Sequence, residues 1–321
     1  MPQPYLPGMT SQDIDPRDTL PQLIDRAADA VARARAAGAD AAEAVVRSVR
    51  SSGVSVRLGQ LEDVERSEDS DLSLTLFVGQ RSASVSTADV SPAALDALVE
   101  RAVAMARVAP ENPWAGLAPE AMLLRGDAPD LDLFDPAGEP APEDMRRLAL
   151  IAEEAARAVP GVTNSEGGSA SANVALHVLA TSHGFANGYA TTGYSLSASV
   201  LAGEGDAMQR DYDWHSARHF ADCESPEDIG RRAGERAVAR LNPGTLGSGR
   251  MPVLFDPRVA GSLVGYLVSG LSGPAIARGQ SFLINHAGAP LFPADIIIED
   301  DPLRPRGLRS HGFDGEGLPT R

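Results

Sequence analysis

The sequence predicts an α+β fold in which an antiparallel sheet packs against helices. Two observations carry this. Helix-period stretches rich in Ala flank runs of alternating apolar and polar residues, and those runs follow one another closely through tight turns, which implies antiparallel pairing. A chain of 321 residues has room for about two domains. With 43% hydrophobic but only 5% aromatic residues, the core must be built from Ala, Val and Leu.

Each element has a local reason. Residues 1–18 are rich in Pro and Asp and read as a disordered tail. The first helix spans 19–37, with Leu23, Ala27, Ala30, Val31 and Ala34 on one face and Gly38 at its end. Strands follow at 41–50, 53–58, 61–67, 71–79 and 82–87. Ser91 caps a helix over 92–108 whose apolar side is Leu95, Leu98, Val99, Ala102, Val103 and Met105. Residues 109–142 form a long Pro/Gly/Asp-rich connection. A helix at 143–158 leads into Ser- and Ala-rich strands at 162–171, 174–182 and 191–203. A helix at 226–241 precedes strand 251–255, a Gly- and Ser-rich helical segment 257–271, and a stretch 281–298 ending in a strand. The domains expected are 19–142, an α/β domain with its long connection, and 143–321, a β-rich domain.

Composition excludes several classes of function. The net charge of −16 opposes direct nucleic-acid binding, which needs a basic patch to displace counterions. The chain contains no lysine, which excludes Schiff-base chemistry and a Walker-type phosphate loop. The single cysteine, Cys223, permits no internal disulfide and fits a reducing compartment. No apolar leader or membrane-length run occurs, so a cytoplasmic protein is expected.

The candidate chemistry is sparse. His215 and His219 have the i, i+4 spacing that places two ligands on one helix face, with Asp211, Asp213 and Glu224 nearby. The residue after His215 is Ser216, so the Glu that a zinc peptidase uses as base is missing. His183, Gly184 and Phe185 form a polar turn between strands. Cys223 lies among acids that disfavour its thiolate. Asp300, Asp301, Asp314 and Glu316 cluster near the C-terminus, where turns and Arg pairing compete with metal binding.

Several stretches taken together resemble the TldD/PmbA (TldE) family of metalloproteases and modulators of DNA gyrase. They are GADAAEAVV (38–46), VRLGQLEDVERS (56–67), LFVGQRSASVSTADVSPAAL (76–95), ATSHGFANGY (180–189), MQRDYDW (208–214), QSFLINHAGAPLF (280–292) and IIIEDDPLRPRGLRSHGFDGEGLPTR (296–321). The resemblance implies an N-terminal helix–antiparallel sheet–helix domain followed by a β-rich domain. The zinc-binding half of the family carries H-E-x-x-x-H, and here Gly265, Tyr266 and Gly270 stand at those positions. The resemblance therefore implies the PmbA/TldE-type subunit, lacking catalytic and metal residues of its own. Zinc would belong to a TldD-type partner in a heterodimeric peptidase acting on unfolded peptides; a homodimer is a further arrangement. His183, Gly184, Phe185, Phe313, Asp314 and Glu316 become candidate peptide or partner contacts. Two alternatives stay open: a self-sufficient metalloenzyme using His215 and His219, and a non-proteolytic binding protein. Family chains run on beyond the FDGEG segment, so a C-terminal domain truncated relative to the family is expected.

Overall fold

The computed structural model describes residues 15–320. Of the tail read at 1–18, residues 1–14 lie outside the described residues, and Pro16–Thr19 form a 3-10 turn. The described residues divide into two units, one of residues 15–242 with 301–320 and one of residues 243–300.

The first unit is built on one six-stranded antiparallel sheet. Its strands are β1 (Ala41–Arg57), β2 (Gln60–Val78), β3 (Arg81–Thr87), β4 (Val162–Thr181), β5 (Ala186–Ala202) and β6 (Gln209–Ala217), in the order β3-β2-β1-β4-β5-β6. The β1–β4 pairing runs from Glu43↔Thr181 to Val56↔Gly168 and joins the two halves of the sequence in a single sheet. Several strands are longer than the local pattern suggested. The stretches at 41–50 and 53–58 form one strand, because Gly53 lies against Ser171 of the neighbouring strand and the pairing carries the chain through Ser51-Ser52-Gly53.

Four helices cover one face: α1 (Leu20–Ala36), α2 (Pro92–Val108), α3 (Pro142–Arg157) and α4 (Pro226–Ala239). Ala27, Ala30, Val31 and Ala34 of α1 are buried against Ala44, Val46, Leu72, Leu74, Leu76, Val178 and Ala180 of the strands. Small side chains let helix and sheet approach closely, which makes an Ala-rich core workable. Ser91 and Ser225 cap α2 and α4 by accepting from Ala94 N and Asp228 N. Met145, Ala149 and Ile229 fill the space under Val54, Val56, Tyr194 and Leu196.

Glu153 of α3 is fully buried and accepts the N–H groups of Leu58 and Gly59 at 2.6 and 2.8 Å. Both turn residues have positive φ, so both donors point back into one carboxylate and fix the β1–β2 turn. Asp213 is likewise buried on the helix-facing side of β6 and is held by Arg232 and Arg236 of α4.

The second unit contains α5 (Pro257–Leu271) and α6 (Gly273–Ala277). The strands expected at 251–255 and at the end of 281–298 do not form among the described residues. A single apolar run without a paired neighbour leaves its backbone groups without strand partners, so the apolar pattern alone does not make a strand. No helix among the described residues is long and apolar enough to cross a membrane.

Candidate functional site

The sheet face opposite the helices carries alternate residues of each strand. At one end of this face, the turn after β4 and the segment 301–320 come together. Gly184, at φ +92°, allows the turn that reverses β4 into β5, and Thr181 N donates to Phe185 O at 2.8 Å. Phe185 is thereby turned inward against Phe313, with ring centroids 5.0 Å apart and an edge-to-face arrangement. Tyr189 packs its ring on Phe313 at 5.4 Å. Ala118, Leu123 and Leu179 complete this small core.

The C-terminal loop that delivers Phe313 is internally braced. Asp314 accepts from Glu316 N and Leu318 N, both at 2.9 Å, and its own N–H donates to Leu318 O. Gly317, at φ +84°, lies flat on the Phe185 ring; a Cβ there would come within 2.8 Å of it. Further back, Arg218 donates to Thr192 O and to the carbonyls of Gly307 and Leu308. Arg306 bridges Asp132 and Asp222 at 2.6 and 2.9 Å. The acids that Arg306 neutralises are therefore not the neighbouring Asp300 and Asp301.

Beside this cluster is a cavity of about 300 Å³, lined by Val45, His177, Leu179, Tyr189, His311 and Phe313. His177 and Tyr189 face each other across β4 and β5, with rings stacked at 5.0 Å. Burial, together with the positive charges of Arg47 and Arg218, pushes the His177 imidazole down to about 4. Burial also pushes the Tyr189 phenol up. Both groups are therefore neutral near pH 7. Glu43, cross-strand from Thr181, is held above the ordinary glutamate range by burial and by the charge of Glu316. Thr181 Oγ1 is buried without a hydrogen-bond partner among the described residues. The pocket is walled by apolar side chains and the stacked, neutral His177 and Tyr189, with Asp314 at its border, a shape suited to holding a side chain.

His177 sets a pH dependence of stability. Its folded value of about 4 lies below the ordinary 6.5, so between these values the unfolded chain binds more protons. The stabilisation is complete above about 6.5 and is lost as pH falls towards 4. An NMR titration of the His177 ring should give a midpoint about 4; a midpoint near 6.5 would refute the burial argument.

The sequence-predicted residues separate into two groups. His183, Gly184, Phe185, Phe313, Asp314 and Glu316 do meet: Phe185, Phe313 and the Asp314 loop form the cluster, Glu316 acts on Glu43, and His183 Nδ1 pairs with Ala118 O at 2.8 Å. His215 and His219 do not share a helix face. His215 lies on β6 and accepts from Glu224 N, while His219 is buried beyond the strand with Nε2 on Asp132 O. The i, i+4 spacing suggested a helix, but pairing with β5 makes the segment a strand. Cys223 is pushed up to about 11 by burial and then by Asp222 and Asp135, so it is a thiol at neutral pH. Among the described residues no group of three or more His, Cys, Asp or Glu is placed to hold a metal. Tyr189 was legible from the sequence as a partner of Phe185 in a loop cluster or peptide-contact surface, but His177 and Glu43 were not; the only signal was their parity on strands of unknown register.

The comparisons with known proteins agree with this architecture. Models of the PmbA/TldA metallopeptidase match in three consecutive parts: domain 1 at residues 42–106, the central domain at 135–241 and the C-terminal domain at 248–321. The chain belongs to the PmbA/TldD family. It is similar to the metalloprotease PmbA of Escherichia coli O157:H7, at 37% identity over 93% of this chain and 66% of that one. A PmbA homolog of Haemophilus influenzae is 36% identical, over 91% and 64%. The chain thus spans about two thirds of the length of these curated relatives. A solved modulator of DNA gyrase from Bacteroides thetaiotaomicron superposes with a TM-score of 0.88 at 25% identity, over 94% of this chain and 69% of that one. TldE from Thermococcus kodakarensis shares the fold, with a TM-score of 0.68 at 18% identity over 94% and 66%.

The zinc that the family implies finds no matching residues here. Gly265 and Tyr266 lie within α5, the Tyr266 side chain is exposed, and Gly270 is packed under the Phe282 ring. From Pro257 to Leu271 there is no His, Cys, Asp or Glu. These residues do not fit the ion.

Proposed function

We propose that this chain is the non-catalytic, PmbA/TldE-type subunit of a two-chain zinc metallopeptidase that acts on unfolded peptides. One observation carries the reading. The helix α5, where the family's catalytic half sets its ligands and general base, holds neither here. The partner is a TldD-type chain that supplies zinc and H-E-x-x-x-H. This chain contributes binding surface, and the apolar pocket between His177, Tyr189 and Phe313 is its candidate contact for a peptide side chain. The cytoplasm, where misfolded and precursor peptides are reduced and unfolded, is the proposed location.

The test is to purify the chain alone and together with a TldD-type partner, then measure zinc by mass spectrometry and hydrolysis of fluorescein-labelled casein. The expected result is no zinc and no hydrolysis for the chain alone, and both for the complex. Stoichiometric zinc with hydrolysis by the isolated chain refutes the subunit reading. The Bacteroides relative's description favours a second reading, a binding protein acting on DNA gyrase without proteolysis. A stable complex with gyrase in the absence of any TldD-type chain would support it.

A further inference from the structure

β2 extends well past β3, its outer neighbour in the sheet. β3 pairs only with Leu72–Val78 of β2. From Gln60 to Asp71, β2 is paired with β1 on one side and, among the described residues, with no strand on the other. Residues Gln60–Ser70 are all exposed. A paired antiparallel strand turns the N–H and C=O of every second residue outward. Val64 N–H donates to its neighbour Asp63 Oδ1 at 2.8 Å and so marks the outward set, which continues through Arg66, Glu68 and Ser70. These outward groups recur about every 6.8 Å, the repeat of an extended polypeptide.

The side chains select which polypeptide. On the sheet face opposite the helices, this edge carries Asp63, Glu65, Asp69 and Asp71 at alternate positions, interrupted only by Ser67. The nearest cation on that face is Arg47, which stands across from Asp71. On the other face Arg66 is already paired with Glu68 at 3.1 Å. We propose that the β2 edge between Gln60 and Asp71 accepts an extended, basic polypeptide strand, with Lys or Arg at alternate positions opposite these carboxylates. Directly opposite charges in a cross-strand pair attract and like charges repel. A second copy of this edge would set carboxylate against carboxylate, which argues against self-pairing. The chain's own residues 1–14 contain no Arg or Lys and include three prolines, so they match neither the charge nor the hydrogen-bonding pattern. The proposal does not rest on the subunit reading.

The probe is a fluorescein-labelled (Thr-Lys)5 peptide, followed by anisotropy at low salt. Two control peptides are needed: one of equal charge with Pro at alternate Thr positions, and (Thr-Glu)5. Glu68→Pro deletes an outward donor without touching the β1 ladder, and Glu65→Lys with Asp69→Lys reverses the charge on exposed side chains; circular dichroism checks each fold. The expected result is saturable binding of (Thr-Lys)5, weakened at least tenfold by either variant and by Pro in the peptide, with no binding of (Thr-Glu)5. Equal binding of the Pro-containing peptide reduces the edge to plain charge attraction and overturns the proposal. So does absence of binding, or binding that both variants leave unchanged. Concentration-dependent dimerisation abolished by Glu68→Pro overturns it in favour of a second copy.

Discussion

Phe313→Ala is expected to lower the unfolding free energy by about 3–4 kcal/mol and to release the segment that closes the candidate site. Phe313 is 6% exposed and meets both the edge of Phe185 and the ring of Tyr189. Its removal leaves a void bordered by Leu179, Phe185 and Leu318, in a cluster too small to collapse around it. The two aromatic contacts add to the lost burial, since edge-to-face pairs are worth about 0.5–1.5 kcal/mol beyond area. The loop's polar bracing at Asp314 survives the change, so the loop keeps its shape but loses its anchor. Urea denaturation reads the stability. Limited trypsin digestion reads the release, because the peptide bonds after Arg306 and Arg309 lie in the freed segment. Unchanged stability and unchanged digestion would show that Arg218 and Arg306 hold the segment without the aromatic cluster.

How much of this was legible in the sequence depended on whether the signal was local. The helices were, because Ala27, Ala30, Val31 and Ala34 repeat the helical period and Ser91 and Ser225 stand where caps are needed. Strand existence was legible; strand length was not. Ser51-Ser52-Gly53 looks like a break until β4 is known to pair across it. The His215–His219 spacing misled for the same reason: in a helix four residues make about one turn and bring two rings together, whereas here the chain is an extended strand that ends at Ala217 and carries His219 beyond it. The turn at His183–Phe185 and the loop at Phe313–Glu316 were singled out as candidate contacts from family resemblance, but their packing of Phe185 on Phe313 was not foreseen. The partnership of His177, Tyr189 and Glu43 was not foreseen either, because it is fixed by register between strands and register has no local signature.

The same substitution, Gly to Ala, should have opposite signs at two helical sites. At Gly230, in α4, an added Cβ would lie 2.0 Å from the carbonyl oxygen of Ala152 in α3. Gly234 one turn on is tight too, with Ala156 O at 2.7 Å, and Gly168 of β4 would meet Ala149 O at 2.3 Å. α3 is therefore wedged between α4 and the sheet through backbone contacts, and only a missing side chain permits the approach. Gly230→Ala must push two helices apart. Ala152, Ala156, Ala233 and Ala237 are buried on this seam and have no rotamers with which to adjust. Overpacking a core costs about 1–3 kcal/mol, and a clash between two backbones belongs at or above the top of that range. At Gly265, inside α5, no atom of the described residues lies within 4 Å of the added Cβ apart from its chain neighbours and the helix's own backbone. There Ala only restricts the unfolded chain and should stabilise the helix by about 0.5–1 kcal/mol. Amide hydrogen exchange separates the two, with faster exchange in α3 and α4 for Gly230→Ala and slower exchange in α5 for Gly265→Ala. A tolerated Gly230→Ala would mean that the α3–α4 seam can open without cost, and the close-packing account of this Ala-built core would fail.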